Sequence, residues 1–217
     1  MTNRNNLIRR IVDISMTIIL LCLMSFQMTG EALHEWVGIG MTAVLIIHHI
    51  LNRKWYPALF KGKYNAYRII TTVINMLLLL SIALTSFCGM SMSSTAVPFL
   101  YGMADMVFAR TTHLALSYWS FILMGLHIGL HLPAPKTSIL VTVLSALIAG
   151  IGLWLFIRNG IPSYLIFRTH FAFFDDGKHA FLVFAENLAE LFFFIFIGAV
   201  TVRILRNLNK KAQPPKP

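Results

Sequence analysis

The sequence predicts an all-α integral membrane protein that forms one domain over residues 1–217. Hydrophobic residues make up 57% of the chain, charged residues make up 12%, and the mean hydropathy is +0.72. Soluble domains carry about 25% charged residues. Several apolar runs approach the roughly 20 residues that a helix needs to cross a bilayer. Backbone inside the hydrocarbon layer must satisfy its own hydrogen bonds, and runs of this length do so as helices.

Six apolar runs are predicted to span the membrane. The first follows the basic segment "NRNNLIRR". It is too long for the apolar part of a signal peptide and lacks a small-residue cleavage site, so it is expected to be a retained span. The sixth run is rich in phenylalanine, which favours a lipid-facing helix. The predicted spans cover residues 11–28, 34–51, 69–88, 112–131, 138–157 and 180–202.

The positive charge predicts how the chain is oriented. Its net charge is +10, and with six spans most of the 18 lysines and arginines fall on the side that holds both termini. The positive-inside rule therefore predicts a multi-pass protein of the bacterial cytoplasmic membrane with both termini in the cytoplasm. The basic residues are expected to contact anionic lipid headgroups. Nucleic acid is not expected as a partner, because no basic patch is interleaved with exposed aromatic residues.

Histidines recur at one spacing in two of the spans. His34 and His48 in the second span, like His113 and His127 in the fourth, are 14 residues apart. Fourteen residues at 100° each end about 40° short of four full turns, so the two histidines of a span share a face roughly 21 Å apart along the axis. The second and fourth spans run in the same direction. His34 is therefore expected level with His113 near the outer face, and His48 level with His127 near the inner face.

Facing imidazoles inside a helical bundle are what a six-coordinate b-type haem requires. The sequence thus predicts two stacked haem b groups, with the axial pairs His34–His113 and His48–His127 binding the iron. Filling both axial positions favours electron transfer over oxygen chemistry. The chain has two cysteines and no C-x-x-C-H motif, so the haems are expected to be non-covalent. A quinone is a further candidate cofactor.

Other histidines leave alternatives open. His49 is an alternative to His48, although it lies 60° out of alignment with His34. His131, one turn beyond His127, is expected to contact a propionate, a quinone or water rather than iron. A single histidine in a span also often hydrogen-bonds a neighbouring helix. Proton or metal transport would require carboxylates in mid-membrane beside the histidines, whereas Glu35 lies near an end.

Basic side chains near the two predicted haem sites are candidates for holding propionates. Arg110 is close to the outer pair, and Arg53, Lys54 and Lys136 are near the inner pair. Each of them is equally well explained as an interfacial anchor.

Acidic side chains inside predicted spans are costly at membrane depth. Glu186 and Glu190, one helical turn apart in the sixth span, are candidates for a proton route or the base of a quinone site. Facing a water-filled or helix-packed interior explains them equally well. Asp13, near the inner end of the first span, is expected to pair with a neighbouring arginine.

Two segments resemble the bacterial flavinylation-associated cytochrome family. They are "TGEALHEWVGIGMTAVLIIHHILNRKWYPALFKGKYNAYR" and "RTTHLALSYWSFILMGLHIGLH". The resemblance covers about residues 11–132, and its "HEWxGI…HHILNRKW" block is the most specific part. It implies a haem-binding membrane subunit that passes electrons to an extracytoplasmic flavoprotein carrying covalently attached flavin. The ligands that it implies are His34, His48 or His49, His113 and His127. No flavin-acceptor domain is fused here, so the flavoprotein would be another polypeptide.

The sequence therefore predicts a di-haem b-type cytochrome that acts as an electron-transfer subunit of an oxidoreductase system. Residues 11–132 would form a four-helix haem-binding core, and residues 133–217 would add two spans and a basic tail. Electrons would pass between a quinol or cytoplasmic-side donor and an extracytoplasmic acceptor. The alternatives are a subunit of a transmembrane ferric or quinone reductase and a haem-free, histidine-containing transporter.

Overall fold

A computed structural model describes residues 2–132, 138–172 and 177–211, and all regular secondary structure within these ranges is helical. Lys136, a predicted propionate partner, lies outside the described residues. The helices, in chain order, are α1 (Thr2–Met24), α2 (Phe26–Leu51), α3 (Trp55–Ala58), α4 (Ala66–Met92), α5 (Met106–His131), α6 (Ile139–Arg158), α7 (Ile161–Leu165) and α8 (Ala180–Lys211), with a 3₁₀ turn at Pro98–Leu100.

Five helices in the described ranges are long and apolar enough to cross a membrane, which confirms the predicted all-helical membrane protein. They are α2, α4, α5, α6 and the part of α8 from Ala180 to Asn207. Helix α1 covers most of the first predicted span but is not among the five. Its apolar stretch is interrupted by Arg9, Arg10 and Asp13.

The first turn of α2 ends at a glycine that the backbone requires. Gly30 has φ of +68° and ψ of 175°, so it breaks the helix between a first turn at residues 26–29 and the long stretch that follows. Glycine adopts this left-handed φ without the steric penalty of a Cβ. Asn187 of α8 donates a hydrogen bond to the hydroxyl of Ser25, which lies between α1 and α2, at 3.0 Å. The connection between α1 and α2 is therefore tied to α8.

Helix α5 lies at the centre of the bundle. It packs along α4 on one side and along α8 on the other, while α8 also packs on α6, and α1 packs on α2. Helix α2 contacts α4 only lightly and has no extended packing on α5. A buried apolar cluster joins α1, α2, α4, α5 and α8 at mid-height, with Met41, Phe121 and Leu191 among its members. Above and below this cluster, α2 and α5 are therefore not packed against each other.

The phenylalanine-rich sixth span, predicted to face lipid, also packs against other helices. Helix α8 lies between α5 and α6, and its Leu191, Phe194 and Val202 are buried. Hydropathy is equally high for a helix that contacts lipid and one that contacts other apolar helices, so it could not distinguish the two positions.

Glycines allow α8 to approach its neighbours closely. A Cβ built on Gly125 of α5 would lie 2.6 Å from Cβ of Phe194, and one on Gly198 of α8 would lie 2.6 Å from the Leu126 carbonyl oxygen. A Cβ on Gly129 would overlap the Ile195 carbonyl oxygen. Small residues spaced in this way are the usual means by which membrane helices pack backbone to backbone.

Replacing Gly129 with alanine should destabilise the fold by about 1–3 kcal/mol, because the new methyl group has to push α8 away from α5. The measurement is thermal unfolding in detergent, followed by the helical circular dichroism signal. Gly150→Ala is the matched control, since a Cβ at Gly150 of α6 meets nothing within 4 Å. Equal midpoints for the two variants would contradict the close α5–α8 contact.

Candidate functional site

Two histidines from α2 and α5 face each other at one end of the bundle, called here the His34 end. The ring centroids of His34 and His113 are 6.1 Å apart, and the ring planes are inclined by 76°. Metal–imidazole bonds are about 2 Å long, so two imidazoles that bind one metal ion from opposite sides have centroids roughly 6 Å apart. The separation of these rings is therefore compatible with a single iron between them.

The orientation of His113 is set by α4. Its Nδ1 donates a hydrogen bond to the Thr85 carbonyl oxygen at 2.9 Å, which leaves Nε2 as the unprotonated nitrogen of the neutral ring. Gly89, one turn further along α4, lies beside the same ring. A Cβ at Gly89 would lie 3.0 Å from Cε1 of His113, so a side chain there would crowd the imidazole.

The position of His34 is set by the residue that follows it. The Glu35 carboxylate accepts hydrogen bonds from the Ser93 hydroxyl at 2.8 Å and from the backbone N–H groups of Thr95 and Ala96, each at 2.9 Å. These donors belong to the loop after α4. Glu35 thus fastens α2 to the α4–α5 connection at the His34 end, one residue from the imidazole.

A cavity of about 700 Å³ surrounds the His34–His113 pair, between α1, α2, α4 and α5. Cavities of about 300–1,000 Å³ are typical of small-molecule and cofactor sites. Two buried polar atoms of its lining residues, Nδ1 of His34 and Oγ1 of Thr85, have no hydrogen-bond partner in the described part of the chain. Arg110, a predicted propionate partner, also lines this cavity.

At the opposite end, called here the His48 end, two further histidines are oriented by side chains. His48 Nδ1 donates to the Asp13 carboxylate of α1, and His127 Nδ1 donates to the Asn75 side-chain oxygen of α4, both at 2.8 Å. The prediction that Asp13 pairs with an arginine is therefore wrong. Arg9, one turn before Asp13, instead donates to the Leu51 carbonyl oxygen at 2.9 Å.

The remaining histidines at the His48 end lie close to this pair. His127 interacts electrostatically with both His48 and His49 across the space between α5 and α2. His49 Nδ1 and the Tyr56 hydroxyl form a hydrogen bond of 2.8 Å. The His131 ring centroid is 4.6 Å from that of His127. Four histidines thus lie at this end. His48 is held by an oxygen acceptor on α1, and His127 is held by one on α4.

One bonding pattern is common to His48, His113 and His127. Each ring donates Nδ1–H to an oxygen on a helix other than its own, and Nε2 is left to accept or to bind a metal. Histidines that bind metals almost always donate their other N–H in this way, because the bond fixes the tautomer and the ring orientation. The donor set and its surroundings therefore fit a haem with two imidazole ligands.

The oxygen acceptors were missed by reasoning from the sequence. Asn75 and Asp13 carried a usable signal, since a polar or charged residue inside an apolar run is a functional candidate. Thr85 carried none, because its backbone carbonyl accepts the bond and any residue type supplies a carbonyl.

Two further side chains, near the His48 end, were predicted to hold propionates. Arg53 and Lys54 are exposed in the loop that follows α2, and the backbone N–H of Arg53 donates to the Ile50 carbonyl oxygen. Within the described ranges, no three His, Cys, Asp or Glu side chains converge as they would around a bare metal ion. Axial ligation of a haem takes two protein ligands per iron.

Glu186 and Glu190 line a second cavity of about 370 Å³ between α5, α7 and α8. Glu190 is 1% exposed and accepts a hydrogen bond from the Asn159 amide at 2.8 Å. Glu186 forms an ion pair with Lys178 at 2.7 Å. Tyr118 lines both this cavity and the one around His34. The two carboxylates therefore face a polar interior that adjoins the His34–His113 cavity.

Comparisons of the chain with protein-family models, with curated proteins and with solved structures found no match.

Replacing Glu35 with alanine should loosen the loop at residues 93–96. The carboxylate accepts hydrogen bonds from several groups there, and a bond to a charged group contributes about 1.5–3 kcal/mol. We expect amide hydrogen exchange at Thr95 and Ala96 to accelerate by at least about tenfold. Mass spectrometry of peptides covering this loop measures the effect. Glu31→Ala, which removes an exposed carboxylate one turn earlier, is the matched control and should leave the exchange unchanged.

Proposed function

We propose that this chain is a di-haem b-type cytochrome that relays electrons across a membrane. The observation that carries the proposal is the repeated histidine arrangement of α2 and α5. At the His34 end two rings stand 6.1 Å apart beside a cavity of about 700 Å³. At the His48 end two rings are held by oxygen acceptors in the manner of metal ligands.

The protein supplies ligands, orientation and a dry interior to this chemistry. His34 and His113 would bind one iron, and His48 and His127 the other. A bound haem supplies a centre that takes up and releases one electron at its iron. The apolar cluster at mid-height, which includes Met41 and the fully buried Phe121, separates the two sites and excludes water between them.

His48 is preferred to His49 as the ligand on the basis of its hydrogen bond. The carboxylate acceptor of His48 is one of the usual hydrogen-bond partners of a metal-binding histidine. His49 is bonded instead to the Tyr56 hydroxyl.

The proposed topology adds α1 to the five apolar helices as a sixth span, since it packs along α2 for most of its length. Six spans place both termini on one side, and the basic residues on that side assign it to the cytoplasm. The His34–His113 site is then the outer one and the His48–His127 site the inner one. The membrane would be a bacterial cytoplasmic membrane.

The proposed partners follow from the two sides of the relay. A quinol or a cytoplasmic-side reductant would supply electrons. The sequence resemblance to flavinylation-associated cytochromes favours an extracytoplasmic flavoprotein as the acceptor. In this topology the cavity around His34 and His113, with Arg110 in its wall, would lie on the side of the membrane that holds such a partner.

The protein purified in detergent from haem-replete cells should contain two low-spin b-type haems per chain. Oxidised and dithionite-reduced optical spectra identify the haem, and the pyridine haemochrome assay counts it. His34→Ala and His113→Ala should each reduce the count from two to one, because each removes an axial ligand of the same haem. His48→Ala and His127→Ala should remove the other haem.

His179→Ala is the control for this series, since His179 is exposed before α8 and belongs to neither pair. It should retain both haems. A colourless wild-type protein would refute the cytochrome proposal. A retained pair of haems in His34→Ala, or the loss of both, would refute the pairing of His34 with His113.

A further inference from the structure

The hydrogen-bond acceptors of the two histidine pairs differ in charge. At the His48 end the acceptors are the Asp13 carboxylate and the Asn75 amide oxygen. At the His34 end His113 is bonded to the Thr85 backbone carbonyl, and Nδ1 of His34 is buried without a partner in the described part of the chain. A carboxylate therefore accepts an imidazole hydrogen bond in one pair only.

A carboxylate that accepts Nδ1–H makes the imidazole a more basic and more electron-donating ligand. Hydrogen bonding to an axial ligand is one of the means by which a protein sets the potential of a haem. A more donating ligand stabilises the oxidised iron relative to the reduced iron, which lowers the reduction potential. The Asp13–His48 bond has this effect at the His48 end.

The cavity at the His34 end has charges of both signs in its wall, from Arg110, Glu31 and Glu35. A nearby cation favours the reduced iron, and a nearby carboxylate favours the oxidised iron. The Glu35 carboxylate accepts hydrogen bonds from the Ser93 hydroxyl and from loop N–H groups rather than from an imidazole. The difference between the two pairs therefore lies in the hydrogen bonds of their imidazoles, which reach a carboxylate only at the His48 end.

We propose that Asp13 acts as a positioning residue through His48, gives the His48–His127 haem the lower reduction potential and so directs electrons from that site to the His34–His113 site. This inference rests on the proposed function. With both haems bound, the internal transfer would be a one-electron exchange, in which oxidation of ferrous to ferric iron at the His48 end balances reduction of ferric to ferrous iron at the His34 end. It would break no bond and release no proton.

The test is a potentiometric titration of the purified holoprotein, read from the α-band of the haems. In the wild type two midpoints are expected, and His34→Ala, which retains one haem, should show the lower of the two. Asp13→Asn keeps an oxygen acceptor for His48 but removes its charge. It should raise the lower midpoint by about 59 mV, a tenfold change for one electron, and leave the higher midpoint unchanged.

Two further variants complete the design. Asn75→Asp places a carboxylate on His127 and should lower the same midpoint. Asp105→Asn removes an acidic charge from the N-cap of α5 but keeps a good capping residue, so it should leave both midpoints unchanged. If Asp13→Asn loses its haem at the His48 end, the midpoint potential of Asn75→Asp decides whether the inference holds.

The inference is overturned if Asp13→Asn leaves the lower midpoint in place or shifts only the higher one, or if Asn75→Asp raises the midpoint. It is also overturned if His34→Ala retains the higher midpoint. These outcomes all require haem to be present and so leave the proposed function standing. A wild-type protein without haem would instead refute the proposed function itself.

Discussion

A buried imidazole in an apolar bundle has to be held in one orientation, and in this protein the holding atoms come from helices that flank the histidine helices. The Thr85 carbonyl oxygen and the Asn75 side chain, both on α4, accept hydrogen bonds from His113 and His127 of α5. Asp13 of α1 does the same for His48 of α2. Each of these bonds is made across a helix interface, so the packing of four helices fixes the orientation of three imidazole rings.

The two histidine helices are supported in different ways. Helix α5 is held along its length, by α4 on one side and by the glycine contacts with α8 on the other. Helix α2 is held along its length by α1, to which the Asp13–His48 bond also ties it, and it is joined to the rest of the bundle by Glu35 at one end and by the apolar cluster at mid-height. The space left between α2 and α5 is where the cavity around His34 lies. The bundle can therefore keep this space open without losing its core.

Sequence periodicity predicted the parts of this arrangement that depend on a single helix. The 14-residue spacing aligns two histidines because it is close to four whole turns, and hydropathy found the apolar helices because bilayer thickness sets their length. It also predicted that His34 lies level with His113, but it could not predict most other contacts between helices. The partner of Asp13 depends on how α1 and α2 are rotated against each other, and the packing of α8 between α5 and α6 depends on which apolar surfaces meet. The role of Gly89 beside His113 depends on the distance between α4 and α5.

The way α1 and α2 are attached to the rest of the bundle bears on how the protein is assembled. The hairpin of these two helices, turning at Ser25 and Gly30, is joined to the other helices by the apolar cluster, by Glu35 and by the Asn187–Ser25 hydrogen bond. The close contacts of Gly125, Gly129 and Gly198 between α5 and α8 involve no residue of this hairpin. The proposed haems, which are wide and rigid, would enter the space between α2 and α5 before the hairpin docks, and docking would then bring in His34 and His48 together.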